Sequence, residues 1–321
     1  MSQPKIRMGV AGAGAFGRNH LRVIAASSRA ELAAVYDPDA ARAGAAAAEY
    51  GVEACASLEE LAARCQAAVV ASPTTTHSSV ACRLMEAGLD VLVEKPIAAS
   101  MDEARAMIDT AHRHGRILQA GHLERFNPAV EAARRILRLP LFFEVHRLSV
   151  FSPRSLDVDV VADLMIHDLD LVLSMTGEEP SEVRAAGIAV LSSRPDIANV
   201  RLEFPGGCIA NLTASRVSTE RVRKLRFFQP QQYVSVDYAK QECLSIRVDA
   251  DRRVHFEPQP VVKGEPLARQ LDAFLDSVTT RTRPVASGEE AARALALALQ
   301  IAARIAEHGK VVAARLRSAS I

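Results

Sequence analysis

Residues 5–17 read Lys-Ile-Arg-Met-Gly-Val-Ala-Gly-Ala-Gly-Ala-Phe-Gly, an apolar run to Ala11 followed by glycines at 12, 14 and 17. The run suits a buried strand, and the glycine turn leads into a helix reaching about Ala26. Gly12 permits a sharp bend, Gly14 lets a pyrophosphate approach the backbone, and Gly17 lets the helix pack close to the sheet. The helix then offers unpaired N–H groups and the positive end of its dipole to phosphates. Gly12, Ala13, Gly14, Ala15, Phe16 and Gly17 are thus candidate cofactor-binding residues. Asp37 ends the next strand, 20 residues after Gly17. A carboxylate there can accept both ribose hydroxyls of an adenosine and repels a 2′-phosphate, which favours NAD over NADP. The alternative is a helix N-cap, with Pro38 at the first helical position.

Outward from that turn the chain alternates strand and helix. Glu31–Tyr36 is a second strand, followed by an alanine-rich helix from about Pro38 to Tyr50 and a short strand at Val52–Ala54. Ser57 with Glu60, and Ser100 with Glu103, form capping boxes that open helices ending near Cys65 and Gly115. Between them lie the strand Ala67–Ser72, a helix over His77–Ala87 and the strand Leu89–Val93. Arg116–Ala120 is the sixth strand. Strands separated by single helices imply right-handed βαβ units and a parallel, doubly wound sheet.

After Gly121 the rhythm changes. A helix is expected at Pro128–Leu137, a strand at Leu141–Ser149 and a helix over Val160–Met175. Runs such as ANVRLEF, CIANLTAS and YVSVDY between Glu182 and Val248 follow one another without helices, and PGG at 205–207 marks a hairpin. That predicts a largely antiparallel open sheet in an α+β domain. Helices near Leu267–Thr280 and Gly288–Glu307 close the chain. The expected division is a Rossmann domain over 1–121 and a substrate-binding and oligomerisation domain over 122–321.

Composition narrows the function. Of 321 residues 49% are hydrophobic, enough for a real core, and Lys+Arg 39 against Asp+Glu 38 leaves a net charge of +1. Without a basic surplus, nucleic-acid binding is disfavoured. The five cysteines form no CxxC pair, which argues against a zinc site or a disulfide framework. No signal-like or spanning apolar run is present, so the protein is expected to be cytoplasmic.

Three further segments carry chemistry. Glu94-Lys95-Pro96 ends the fifth strand, on the side of the sheet where ligands bind. A lysine there can share the proton of an alcohol that loses a hydride; a strand-end salt bridge is the alternative. Asp163 and His167 lie four apart on one helix face, as an acid–base pair or as an ordinary surface pair. A metal reading of the segment through Asp170 lacks a third cluster of ligands. Gly121-His-Leu-Glu-Arg-Phe-Asn-Pro128 places polar groups at the domain junction, or is a linker.

In this order, these segments resemble the Gfo/Idh/MocA family of NAD(P)-dependent oxidoreductases over essentially the whole chain. Ser72-Pro-Thr-Thr-Thr-His77, the Glu94-Lys95-Pro96 motif, Arg125-Phe-Asn-Pro128, the set Asp163, His167 and Asp170, and Arg283-Pro-Val-Ala-Ser-Gly288 match its pattern. The resemblance implies that Lys95, His167 and Asp163 are catalytic. It extends the NAD contacts to Ser72, Thr74, His77, Glu94, Lys95 and His122. Substrate contacts are expected at Lys95, Arg125, Asn127, Arg154, Asp163 and His167, with Arg147 a further candidate for a nucleotide. The segments QAGHLERFNPAV and DVDVVADLMIHDLDLVLSMTG are similar to bacterial UDP-N-acetylglucosamine 3-dehydrogenases, which feed amino sugars into lipid A. A free sugar or cyclitol such as myo-inositol is the alternative substrate, and a non-catalytic NAD(P)-sensing protein a third reading. The resemblance also implies a homodimer or homotetramer formed through the C-terminal sheet.

Overall fold

The computed structural model describes residues 4–151 and 159–318. The chain divides into two compact units, Met1–Phe126 with Gly264–Leu295, and Asn127–Lys263 with Ala296–Ile321. A single cut at residue 121 thus separates the sheets but not the helices, because a late segment belongs to the first unit.

In that unit the strands β1 (Ile6–Ala11), β2 (Ala30–Tyr36), β3 (Glu53–Cys55), β4 (Ala67–Val70), β5 (Asp90–Val93) and β6 (Leu118–Ala120) form one parallel sheet. Its order is β3-β2-β1-β4-β5-β6. The order reverses at β1, the switch point outside which ligands bind in such sheets. The helices α1 (Ala15–Ala26), α2 (Ala40–Tyr50), α3 (Leu58–Arg64), α4 (Thr74–Glu86) and α5 (Met101–His114) connect the strands. β4 and β5 are buried along their whole length, as strands covered on both faces must be.

The expected helix starts are refined. Asp39, not Asp37, caps α2, accepting from the N–H groups of Ala41 and Arg42. α4 begins at Thr74, directly after Pro73 and three residues before His77. Ser57 and Ser100 cap α3 and α5, but Glu60 and Glu103 reach back one residue further than a capping box, to the N–H groups of Ala56 and Ala99. From the late segment, Leu271, Phe274 and Leu275 of α8 (Pro266–Thr280) join one core cluster, and Ala291, Ala292 and Leu295 of α9 (Gly288–Ser318) join the other.

The second unit is built on β7 (Phe142–Leu148), β8 (Glu182–Ile188), β9 (Ile197–Glu203), β10 (Ile209–Ser215), β11 (Val222–Gln229), β12 (Gln232–Asp237), β13 (Glu242–Val248) and β14 (Val254–Pro258). They form an eight-stranded sheet in the order β14-β13-β12-β11-β7-β10-β9-β8. Every pair is antiparallel except β7 with β10. The β9–β10 hairpin turns at Pro205–Gly207, where Gly207 takes φ +83°. Residues along β7, β9 and β10 alternate buried and half-exposed, the mark of a sheet covered on one face. The helices of this unit are α6 (Pro128–Ile136), α7 (Ile166–Thr176) and the end of α9. The helix expected over Val160–Met175 is not regular: a π-helical segment, Val161–Met165, precedes α7.

Candidate active site

The glycine turn is forced by its surroundings. Gly12 has φ +102°, and a Cβ there would lie 2.7 Å from the backbone of Ala71 and Ser72. A Cβ on Gly17 would come within 1.8 Å of the Gly12 carbonyl oxygen. At Gly14 a Cβ would meet nothing within 4 Å, because it would project into open space. Gly14 is the N-cap residue of α1, which has no side-chain cap and no acidic residue in its first turn. Its leading N–H groups are thus left for an anion.

That space is a cavity of about 600 Å³ lined by Gly12, Gly14, Phe16, Asp37, Ser72 and Thr76, among others. Thr76 lines it, where the sequence pointed to Thr74, which instead opens α4. Phe16 is 63% exposed at the start of α1. Asp37 is buried and accepts from Ala13 N–H at 2.8 Å and Asp39 N–H at 2.9 Å. Ala13 therefore spends its N–H on bracing the turn against the end of β2. The guanidinium of Arg42 lies 3.4 Å from Asp37 Oδ1. An uncapped helix start, a glycine with room for a pyrophosphate and a carboxylate at the end of β2 fit a dinucleotide.

Lys95 follows β5 and is half-buried, with a cis peptide bond to Pro96. Glu94 does not face the cavity. Its Oε1 is 2.7 Å from Nε2 of the buried His20, a residue the sequence reading missed. Burial alone would push the Glu94 carboxyl up; the His20 hydrogen bond and charge, with help from Lys95, carry it below its ordinary value. His77 is buried, with Nδ1 2.9 Å from the Pro96 oxygen and Nε2 2.9 Å from the Ser72 oxygen. It thereby ties the lysine turn to the loop before α4. His122 is buried just beyond β6.

Arg125 is buried, donating to the Val285 carbonyl at 2.7 Å and pairing with Glu290 at 3.1 Å. Its guanidinium serves the framework of the first unit. Asn127 caps α6 and donates to the Tyr238 carbonyl, so its amide is likewise engaged. Arg154 lies outside the described residues.

In the second unit Asp163 sits in the π segment and His167 in the first turn of α7, both half-buried. A helix wound wider than the α form brings residues four apart closer to eclipse, and such segments recur at functional sites. The next residue, Asp168, is buried and held by Arg147, Nε to Oδ2 at 2.7 Å and Nη2 to Oδ1 at 2.9 Å. The Tyr238 hydroxyl donates to Asp168 at 3.2 Å, and the guanidinium lies 5.2 Å from the Tyr238 ring centroid. Arg147 therefore fastens α7 to β7 and is not free to meet a nucleotide. Asp170 is also buried.

Comparison with known proteins follows this geometry. Residues 6–122 match the Gfo/Idh/MocA oxidoreductase family, NAD-binding Rossmann fold, and residues 144–231 match the family's C-terminal domain. A UDP-N-acetylglucosamine 3-dehydrogenase of Acidithiobacillus ferrooxidans is 39% identical over 303 residues, 92% of this chain and 96% of that protein. The chain belongs to the Gfo/Idh/MocA family. Residues 6–122 of its first unit are the family's NAD-binding Rossmann domain, and the protein is an oxidoreductase. The solved structure of the UDP-N-acetylglucosamine 3-dehydrogenase GnnA from Acidithiobacillus ferrooxidans superposes with a TM-score of 0.90 at 37% identity, covering 95% of this chain and 99% of that one. An inositol 2-dehydrogenase of Rhizobium meliloti is 26% identical over 325 residues, 95% of this chain and 98% of that protein.

The cysteines carry no chemistry in this site. All are free, and four are buried. Burial pushes the Cys65 thiol up to about 12, and those of Cys208 and Cys243 to about 11.

Proposed function

We propose that this enzyme oxidises the C3 alcohol of UDP-N-acetylglucosamine, giving a 3-keto nucleotide sugar. The identity of 39% across 92% of the chain to a dehydrogenase of that substrate carries the reading. NAD, when bound, would supply the hydride acceptor for C3. Gly14, the start of α1 and Asp37 would hold the dinucleotide. Lys95 hydrogen-bonds the reacting hydroxyl, and His167, with Asp163 beside it, takes the proton. The balance is one hydride to the nicotinamide and one proton to the protein, which releases it to solvent.

The product suits an aminotransferase, the class of reaction that turns a ketone into the 3-amino sugar of a lipid A precursor. The half-exposed face of the eight-stranded sheet supports a homodimer or homotetramer: Phe228 is 38% exposed, Phe256 68% and Ile188 51%. A cytoplasmic setting is supported by the free cysteines; no helix among the described residues is long and apolar enough to cross a membrane.

The test is NADH formation by the purified enzyme with NAD and UDP-N-acetylglucosamine, beside free N-acetylglucosamine and myo-inositol. An aminotransferase with glutamate is added to draw off the ketone. NADH with the nucleotide sugar alone is the expected result. NADH with myo-inositol alone would replace this substrate by a cyclitol, the reading favoured by the inositol dehydrogenase relative.

A further inference from the structure

We propose that His20 and Glu94 form a buried positioning pair for Lys95, setting the lysine's place from the helix that opens at the glycine turn. The inference rests on Lys95 acting at the reacting hydroxyl, as proposed above.

Glu94 directly follows β5, at the carboxyl end of the parallel sheet, where a carboxylate would ordinarily meet solvent or substrate. Here its side chain is only 14% exposed and that of His20 only 4%. Glu94 Oε1 meets His20 Nε2, and Oε2 accepts the backbone N–H of Lys95 at 3.2 Å. Since an ionised carboxylate only accepts, His20 Nε2 must be the donor. A carboxylate taken out of water persists when it is paired and hydrogen-bonded, and both of its oxygens are. The backbone is fixed as well, with Glu94 N–H donating to the Val70 carbonyl at 2.9 Å. Gly121 closes the pocket: a Cβ there would lie 3.1 Å from Glu94 Oε2 and 3.2 Å from Glu94 Cα. A side chain at 121 would press on the carboxylate and its backbone, which would have to give by a few tenths of an ångström.

The other flank of Lys95 is held in the same manner, by His77 against the Pro96 carbonyl. The lysine is thus bracketed by two buried histidines. One comes from α1, three residues past Gly17; the other comes from α4, next to the Ser72 wall of the cavity. The elements that line the dinucleotide cavity are therefore the ones that aim the amine. A displacement of about 1 Å of a reacting group costs on the order of 100-fold in rate. A buried, charge-assisted pair adjoining the lysine's own peptide group guards against that displacement.

Three variants test this: His20→Ala, His20→Gln and Glu94→Gln. Glutamine at 20 keeps a donor at the reach of Nε2, and glutamine at 94 keeps the shape without the charge. Calorimetry reads the Kd for NAD, and steady-state turnover reads kcat and KM. Brief acetylation with acetic anhydride, followed by mass spectrometry, reads the reactivity of Lys95 against Lys240 and Lys263 in the same sample. His20→Ala is expected to lower kcat about tenfold or more with the Kd for NAD within about twofold. Lys95 acetylation is expected to change with it, and His20→Gln to restore both to within about threefold. Glu94→Gln is expected to behave like His20→Ala, and it decides the matter if the alanine variant fails to fold. Equal losses of NAD affinity and kcat with unchanged Lys95 acetylation would overturn the proposal, because the pair would then only hold the helix. If the wild-type enzyme makes no NADH from any sugar, the substrate reading fails separately. Acetylation of Lys95 still decides the pair, and an unchanged rate in His20→Ala overturns it.

Discussion

Truncating Lys95 removes the amine proposed above to act at the reacting hydroxyl and touches neither the glycine turn nor Asp37. Lys95→Ala is therefore expected to lower kcat by about 100-fold or more while the Kd for NAD, read by calorimetry, moves less than about threefold. Turnover near the wild-type rate would remove the lysine from the reacting hydroxyl. The position of Lys95 at the carboxyl end of the sheet was legible in the sequence because its motif is contiguous and follows an apolar run. His20 was not, because its partner lies 74 positions away and an isolated histidine on a helix carries no pattern. Asp37 was half legible. The sequence offers aspartates on both sides of Pro38, and which one caps the helix depends on where the strand stops. Since β2 ends at Tyr36, Asp39 falls at the cap and Asp37 is left to brace Ala13.

Between elements, close approach separates two glycines that look alike in sequence. Gly17 faces the Gly12 carbonyl across the junction of β1 and α1, and Gly14 faces only the cavity. Gly17→Ala must push the helix off the turn and is expected to destabilise the protein by several kcal/mol, on the order of an overpacked core, with a clear fall in Tm. Gly14→Ala is expected to leave Tm within about 2 °C of wild type and to weaken NAD binding by tenfold or more, since the methyl occupies space the pyrophosphate needs. A normal Kd for NAD in Gly14→Ala would move the phosphates away from this turn. The alternation of strand and helix showed both elements in advance. The π segment before α7 did not show, because its apolar spacing also suits an α-helix and only the hydrogen bonds differ. α8 was legible as a helix but not as part of the first unit: an amphipathic stripe tells that a face is buried, not against which sheet.

Across the whole chain, both units keep a buried carboxylate ionised below its ordinary range, which ties stability to pH. In the first unit this is Glu94. In the second it is Asp196, whose side chain is fully buried. Burial alone would push its carboxyl up, but the N–H groups of Leu191, Val190 and Ser192 and the Ser192 hydroxyl outweigh that and hold it far down. Arg216 adds a partner at 3.0 Å. For a carboxyl that holds its proton less tightly folded than unfolded, the unfolded chain takes up protons first as pH falls. The stabilisation is thus complete above the unfolded value near pH 4 and fades as pH drops through the folded value. Asp196→Asn puts an NH2 among donors and removes the charge, so it is expected to cost roughly 2 kcal/mol or more at pH 7. Thermal midpoints of the two proteins, measured from pH 7 downward, should draw together below about pH 4 as the wild type loses the same term. A gap that stays constant to acid pH would show that shape, not charge, sets the role of Asp196.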